Sequence, residues 1–218
     1  TINPSVQLVY GQVHTFGFTY EPLNYGTDTQ TFQIVTNGGT ISISLTGQAP
    51  SSRFSDGFEN YDDFALSFGN WTQYDGDHLT TYAIQNCTFP NQAYVGSYII
   101  FNSYQTSPSL GGTPIDAYTG HKGAYCFAGI PSGSVTANDD WLISPAISLT
   151  GPTCSVSFYA KAYSSSYPER FKVRLSTTNN TAPSSFTVYL AGSATSYVTA
   201  TTTWTQYTYS LNSYAGST

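Results

Sequence analysis

The chain has 218 residues, a formal net charge of −6 at pH 7, and 16% aromatic but only 8% charged residues. This aromatic content excludes a disordered chain, and a total of six Lys and Arg residues argues against nucleic-acid binding, which needs many cations. No run of about 18 apolar residues is present, so we expect no membrane-spanning helix.

Residues 1–50 predict an all-β segment. A strand over residues 31–35 runs into Asn-Gly-Gly at residues 37–39, which favours a hairpin turn because these residues readily adopt positive φ. Residues 40–45 then alternate between apolar and polar side chains, which is the pattern of a half-buried strand.

Residues 51–218 predict a second all-β domain, after a linker at residues 49–52. Its strands carry apolar side chains at alternate positions, and no segment has the 3.6-residue periodicity of a helix of three turns. The inward-facing positions that this alternation predicts are Cys154, Val156, Phe158 and Ala160, then Phe171, Val173 and Leu175, and finally Tyr207, Tyr209 and Leu211.

Acidic residues concentrate in two stretches. Six of the twelve lie between Asp56 and Asp77, and Asp139 and Asp140 directly precede an apolar strand. Because calcium takes six to eight oxygen ligands, we expect the two stretches to meet around Ca²⁺. The candidate ligands are Asp56, Glu59, Asp75, Asp77, Asp139 and Asp140. The alternative is that each acidic residue stabilises a turn by bonding its own backbone.

Positive charge concentrates on one predicted strand, at Arg170, Lys172 and Arg174. These three residues share a strand face and can contact a sulfated or acidic glycan, or an acidic face of a neighbouring subunit. The alternative is a solvated face that discourages edge pairing. Tyr163 and Tyr167, in a polar stretch just upstream, are further candidates for ligand binding.

Cysteine spacing and histidine count bear on redox and catalytic chemistry. Cys87, Cys126 and Cys154 lack the C-x-x-C spacing of zinc and redox sites, and we expect one disulfide and one buried thiol, with Cys154 as the thiol.

Three histidines occur without a G-x-S-x-G or H-E-x-x-H motif, so we expect no enzymatic activity.

The order of motifs in the second domain resembles the cleaved-adhesin family, which is related to the haemagglutinin/adhesin modules of gingipain-type proteases. The similarity covers about residues 54–216, and its most specific element is Asn-Asp-Asp-Trp-Leu-Ile-Ser-Pro at residues 138–145. The other motifs are Phe58-Glu59, Trp71-Thr72, Asp75-Gly76-Asp77, His121-Lys122-Gly123 and an Arg-Phe-Lys-Val-Arg-Leu-Ser strand at residues 170–176.

Residues 1–48 resemble part of an immunoglobulin-like repeat of bacterial surface proteins. This similarity rests on Phe-Thr-Tyr-Glu-Pro at residues 18–22, the strand at 31–35 and Leu-Thr-Gly at 45–47. About 48 residues are roughly half of such a sandwich. The two resemblances imply a partial immunoglobulin-like segment at residues 1–50 and a jelly-roll β-sandwich at residues 51–218, which lacks its last strands.

The cleaved-adhesin resemblance implies structural calcium and a non-catalytic, secreted cell-surface adhesin that binds glycan or protein; many members of the family are exported by Bacteroidota. The chain contains no methionine and no signal peptide, so we expect a processed or excised segment of something longer. The alternative is a structural subunit of an extracellular filament or lattice, in which copies of the chain complete one another's sheets by strand addition.

Overall fold

A computed structural model of the chain describes residues 26–49, 54–149 and 154–216, together with Tyr10, Gln12, Val13 and Thr15. The chain divides into two compact units, residues 1–52 and 53–218. The predicted repeat motif at residues 18–22 and residues 50–52 of the predicted linker lie outside the described residues.

The first unit contains a β-hairpin. Strands β1 (Gly26–Thr36) and β2 (Gly39–Ala49) pair antiparallel, with Thr36 opposite Gly39. Asn37 and Gly38 form the two-residue turn, which confirms the predicted hairpin. Gly39 has a φ of +131°, a conformation that side-chain-bearing residues rarely adopt.

The second unit contains ten short strands among its described residues. They are β3 (Thr72–Asp75), β4 (Ile99–Asn102), β5 (Lys122–Tyr125), β6 (Asp140–Ile143), β7 (Ser155–Ala160), β8 (Arg170–Phe171), β9 (Val173–Leu175), β10 (Val188–Ala191), β11 (Val198–Thr199) and β12 (Thr205–Ser210). Three single 3₁₀ turns lie at Ser103–Gln105, Pro183–Ser185 and Asn212–Tyr214.

All strand pairs of the second unit are antiparallel: β3 with β6, β4 with β5, β7 with β12, β8 with β11, and β9 with β10. The described residues contain no α-helix, so the predicted all-β class is confirmed. Within those same residues, no helix has the length and apolar character needed to cross a membrane.

The core of the second unit is largely aromatic. Ile99, Ile100 and Phe101 of β4 are fully buried, and Phe64 packs edge-on to Phe101 with ring centroids 5.7 Å apart. The same cluster continues through Phe89, Tyr94, Tyr125 and Phe127. β4 is buried along its whole length. Its Ile100 exchanges backbone hydrogen bonds with Phe64 and Ala65, which lie within the first acidic stretch.

The predicted alternation of β7 and β12 is confirmed. Val156, Phe158 and Ala160 are shielded while the intervening residues of β7 are exposed, and β12 shows the same pattern. Phe158 stacks on Tyr207 at 5.6 Å, and Phe171 of β8 meets Tyr207 edge-on at 5.1 Å. The opposite face of the β8–β9 segment is therefore left for the basic residues.

The expected disulfide is wrong, because Cys87 and Cys126 are both free thiols. The buried Cys87 thiol contacts the carbonyl oxygen of Pro108 at 3.7 Å, whereas the Cys126 sulfur lies 3.3 Å from a carboxylate oxygen of Asp140. Cys154, the expected buried thiol, is only half-buried. Folding thus places Cys87 and Cys126 in different chemical environments, which spacing alone does not predict.

Candidate metal centre and binding surface

Antiparallel pairing of β3 with β6 brings the two acidic stretches together. Asp75 ends β3 and Asp140 begins β6, and the register places these two residues directly opposite each other. Like charges directly opposite in a sheet are destabilising. A cation shared between the two carboxylates removes that repulsion.

The turn after β3 adds a third carboxylate. Gly76 donates its backbone N–H to the Asp139 carbonyl at 2.9 Å, and a Cβ on Gly76 would lie 2.5 Å from Asp139 Oδ2. A larger residue at this position would therefore displace the Asp139 side chain. Asp77, the next residue, accepts hydrogen bonds from the backbone N–H of Leu79 at 2.8 Å and of Asp139 at 2.5 Å.

Asp75, Asp77 and Asp140 each offer a carboxylate oxygen within 4.8 Å of the others. Two oxygens bound to one Ca²⁺ at 2.3–2.6 Å lie at most about 5 Å apart, so this spacing is compatible with a shared calcium ion. The carboxylates of Asp75 and Asp77 also stabilise the local backbone. Asp75 Oδ1, for example, accepts a hydrogen bond from the N–H of His78 at 2.6 Å. The metal and turn-forming interpretations of these residues are therefore compatible.

Asp140 is the member of this three-carboxylate group that has a buried oxygen without a hydrogen-bond partner. Its Oδ2 accepts hydrogen bonds from Asn138 Nδ2 at 2.8 Å and from the Cys126 thiol at 3.3 Å, whereas its Oδ1 is buried without a hydrogen-bond partner. Burial, together with the charges of Asp77 and Asp75, raises the pKa of Asp140 to about 7. A buried carboxylate oxygen without a partner, beside two further carboxylates, is the arrangement that a bound cation satisfies.

Cys126 and Asn138 were not predicted as part of this site. Cys126 is exposed as a residue, yet its sulfur faces Asp140, and burial of the thiol followed by the neighbouring Asp140 charge raises its pKa well above the ordinary value. Asn138 also donates to the carbonyl of Phe127 at 3.2 Å. An Asn next to two Asp residues was the signal in the sequence, but its role depends on tertiary contacts.

Asp139 lies beside the three-carboxylate group, and is not among the three residues whose oxygens converge. Its Oδ1 accepts a hydrogen bond from Trp141 Nε1 at 2.9 Å, and its backbone contacts Gly76 and Asp77. The side chain therefore orients Trp141, while its main chain closes the acidic turn.

The two remaining predicted ligands lie apart from this group and make structural hydrogen bonds. Asp56 accepts from Trp71 Nε1 at 2.7 Å, from the Tyr61 hydroxyl at 2.5 Å and from the backbone N–H of Phe58 at 2.8 Å. The hydrogen bond that the Tyr61 hydroxyl donates to Asp56 is the main reason that the pKa of Tyr61 is raised.

Glu59 has an equally local role. Its Oε1 accepts from the backbone N–H groups of His121 at 2.9 Å and Lys122 at 2.8 Å, which fixes the start of β5. Gly120 has a φ of +67° and packs so closely on the Glu59 carboxylate that a Cβ there would clash. Glu59 therefore connects two loops of the second unit by hydrogen bonds.

The predicted basic face forms an ordered surface with two tyrosines, which we name the cation–tyrosine strip: Arg170, Lys172, Arg174, Tyr189 and Tyr197. The Lys172 ammonium lies 4.2 Å from the ring centroid of Tyr197 and 5.7 Å from that of Tyr189. The guanidinium of Arg170 lies 5.1 Å from Tyr197, and that of Arg174 lies 4.7 Å from Tyr189. Cations and rings therefore alternate along the strip.

Strand pairing explains why the two tyrosines join this face. Tyr189 lies directly opposite Arg174 in the β9–β10 pair, and β11 pairs with β8 immediately after Tyr197. Between these two pairings the chain makes a tight excursion at Gly192, whose φ is +76°. The sequence did not identify Tyr189 or Tyr197, because their position depends on this irregular pairing.

Tyr163 and Tyr167, the other predicted ligand contacts, are strongly exposed at 71% and 78%. They lie in the loop between β7 and β8, which leads directly into Arg170. Their exposure is compatible with ligand contact and does not by itself identify a ligand.

Comparison with protein-family models, with curated proteins and with solved structures found no match for the chain. The resemblance to the cleaved-adhesin family therefore rests on the motifs alone, and it stays a prediction.

Proposed function

We propose that this chain is a non-catalytic, secreted cell-surface adhesin module that binds glycan or protein and is stabilised by calcium. The observation that carries the proposal is the convergence of Asp75, Asp77 and Asp140 around a buried, unpartnered carboxylate oxygen. A jelly-roll arrangement of the antiparallel strands, as the cleaved-adhesin motifs imply, belongs to the same proposal.

The residues present fit Ca²⁺ by their chemistry. Carboxylates are hard oxygen donors, and three of them supply three to six of the six to eight ligands that calcium takes, with backbone carbonyls and water for the remainder. When bound, the ion neutralises the repulsion between Asp75 and Asp140 across the β3–β6 pair. Calcium thereby holds together two segments that are far apart in the sequence.

The adhesive part of the proposal is supported by surface composition. Tyr163, Tyr167 and Tyr197 are large exposed aromatic side chains. Arg170 and Lys172 lie over the ring of Tyr197, on a protein whose net charge is −6. Exposed aromatic and Arg residues are enriched where proteins make specific contacts.

Calcium titration calorimetry, thermal unfolding with and without a chelator, and binding to glycan and protein arrays test this proposal. At a free calcium concentration about 100 times the dissociation constant, we expect the melting temperature to rise by roughly 5–10 °C. The matched pair of variants is Asp75→Asn, which removes one ligand charge, and Asp62→Asn, which removes the charge of an exposed carboxylate outside the group.

Asp75→Asn should lose most of the calcium-dependent shift, whereas Asp62→Asn should keep it. A chain whose melting temperature does not respond to calcium would contradict calcium stabilisation. A calcium-responsive chain that binds nothing on either array would instead contradict the adhesive role.

A further inference from the structure

We infer that the cation–tyrosine strip is a binding site for a linear acidic polysaccharide, one that carries sulfate or carboxylate groups at regular intervals. This inference rests on the proposed adhesive function and names the ligand class and the residues that recognise it.

The charges of the strip are available to a ligand. Among the described residues, the two ion pairs are His78–Asp75 and Lys122–Asp63, so no described carboxylate lies within 4.0 Å of Arg170, Lys172 or Arg174. Arg170 is exposed, and Lys172 and Arg174 are half-buried. Glu169, beside Arg170, offsets part of this charge. Three clustered cations against one neighbouring carboxylate still form a local positive surface on a protein of net charge −6, and such a surface favours an anionic partner.

The side chains of the strip are already ordered. Each cation lies against a tyrosine ring, and the Lys172 ammonium also donates a hydrogen bond to the Ala194 carbonyl at 3.0 Å. Free Lys and Arg side chains lose considerable rotamer entropy when they are immobilised by a ligand. Because stacking has fixed these rotamers in advance, an anion meets a preorganised row of donors.

The spacing of the row favours a regular polymer. Arg170 lies in β8, Arg174 lies in β9 and Lys172 lies between the two strands, so the Cα atoms of neighbouring cations are about 7 Å apart where the chain is extended. Between them Tyr189 and Tyr197 remain 37% and 51% exposed. Their rings offer apolar faces and their hydroxyl groups offer hydrogen bonds, which is the combination that a sugar ring with one apolar face requires.

An acidic protein surface fits the strip less well. Protein interfaces gain most of their affinity from aromatic or aliphatic anchors buried in a pocket. The tyrosines here are instead held in an open row by the cations on either side. The guanidinium groups can bind sulfate or carboxylate oxygens in bidentate fashion, which suits repeated anionic groups along an extended chain.

One end of the strip contacts the strand that carries Asp140. Arg174 also lies 5.1 Å from the ring centroid of Trp141, which follows Asp140 in β6. Binding experiments therefore need calcium present throughout, so that the proposed calcium ion is bound to Asp140 in β6.

The test uses the full chain and immobilised dextran sulfate, with uncharged dextran as the matched backbone and hyaluronate as the carboxylate-bearing polymer. We expect binding to dextran sulfate and hyaluronate that weakens as salt is added, and no binding to dextran. Poly-glutamate of similar charge tests the acidic-protein alternative, and stronger binding to it than to either polysaccharide would overturn the inference.

A matched pair of variants locates the site. Lys172 and Lys161 both lie over aromatic rings and both donate to a backbone carbonyl, of Ala194 and Pro114 respectively, so Lys172→Gln and Lys161→Gln remove equivalent charges. Lys172→Gln should weaken dextran sulfate binding about tenfold, because it removes a charge-assisted contact. Lys161→Gln should leave that affinity within about twofold.

Equal losses in the two variants, or no binding of either acidic polymer at low salt, would overturn the inference. Failure of the inference is distinguishable from failure of the proposed function. A chain that calcium stabilises and that binds a neutral glycan or a protein, but neither acidic polysaccharide, keeps the proposed function and refutes the strip as the site.

Discussion

Replacement of Asp140 by Asn is expected to stabilise the metal-free protein and to abolish its response to calcium. Asn is nearly isosteric, and its side-chain oxygen can still accept the hydrogen bonds from Asn138 and Cys126. The amide NH₂ then faces Asp75 and Asp77 as a donor, in place of the unpartnered carboxylate oxygen.

The magnitude follows from the pKa of Asp140, which the fold raises to about 7. Relative to an unfolded value near 4, this destabilises the ionised folded state by at most about 4 kcal/mol. Asp140 is half-buried, so solvent screening reduces the effect to about 2 kcal/mol. For a unit of this size, Asp140→Asn should raise the metal-free melting temperature at pH 8 by roughly 4–8 °C.

The sign of the pH dependence is also defined. Between about pH 4 and pH 7 the folded protein retains the Asp140 proton that the unfolded chain has released, so the stability of the metal-free protein falls as pH rises through this window. Asp140→Asn should lack this decline, and above pH 7 the difference between the two proteins should be constant.

The assay is urea unfolding from pH 4 to pH 8, with chelator and then with calcium, and with Asp62→Asn as the charge-matched control. If the metal-free Asp140→Asn protein is less stable than the wild type at pH 8, the charge of Asp140 does not destabilise the metal-free fold, and the reasoning is refuted. An undiminished calcium response in this variant would refute the assignment of Asp140 as a ligand.

Three further predictions separate the candidate metal centre from its surroundings. Gly76→Ala should weaken calcium binding and cost about 1–3 kcal/mol of stability in titration and urea unfolding, because its Cβ meets Asp139 Oδ2. Gly57→Ala is the control: the space around its Cβ is open, so this variant should be neutral in the same assays. Asp56→Ala should cost about 2–4 kcal/mol in urea unfolding, because it removes the acceptor of Trp71 and Tyr61, yet leave calcium affinity unchanged; a large loss of affinity would place Asp56 in the metal centre. A reductant should not alter the melting temperature, since Cys87 and Cys126 are not bridged, and a marked decrease would contradict the free thiols.

The sequence predicted those parts of the fold that depend on local chemistry. The Asn-Gly-Gly sequence at residues 37–39 specifies a hairpin, and the positive φ that few residues tolerate lies at Gly39, directly after the turn. The burial of Phe158 and Tyr207 follows from alternation, which is a property of each strand by itself. Neither inference requires knowledge of a distant residue.

The candidate site was predictable only in part, because its members depend on distant pairings. The acidic turn at Asp75 and Asp77 was visible as a motif, and the β3–β6 register then brings it opposite Asp140. Asp56 and Glu59 look like the same kind of residue in the sequence. Their carboxylates differ only because the fold places an indole N–H and backbone N–H groups against them.

The register of β3 with β6 has a consequence for where the protein is stable. Cys87 and Cys126 provide no permanent cross-link, so under the proposed calcium binding the join between Asp75 and Asp140 is reversible. A disulfide persists in the unfolded chain, whereas the ion leaves on unfolding, and its contribution follows the logarithm of the calcium concentration. Calcium sites in extracellular modules typically respond between about 0.1 and 1 mM. The same polypeptide would then unfold easily where calcium is scarce and be stable where calcium is plentiful, so its stability would be set by the medium around it.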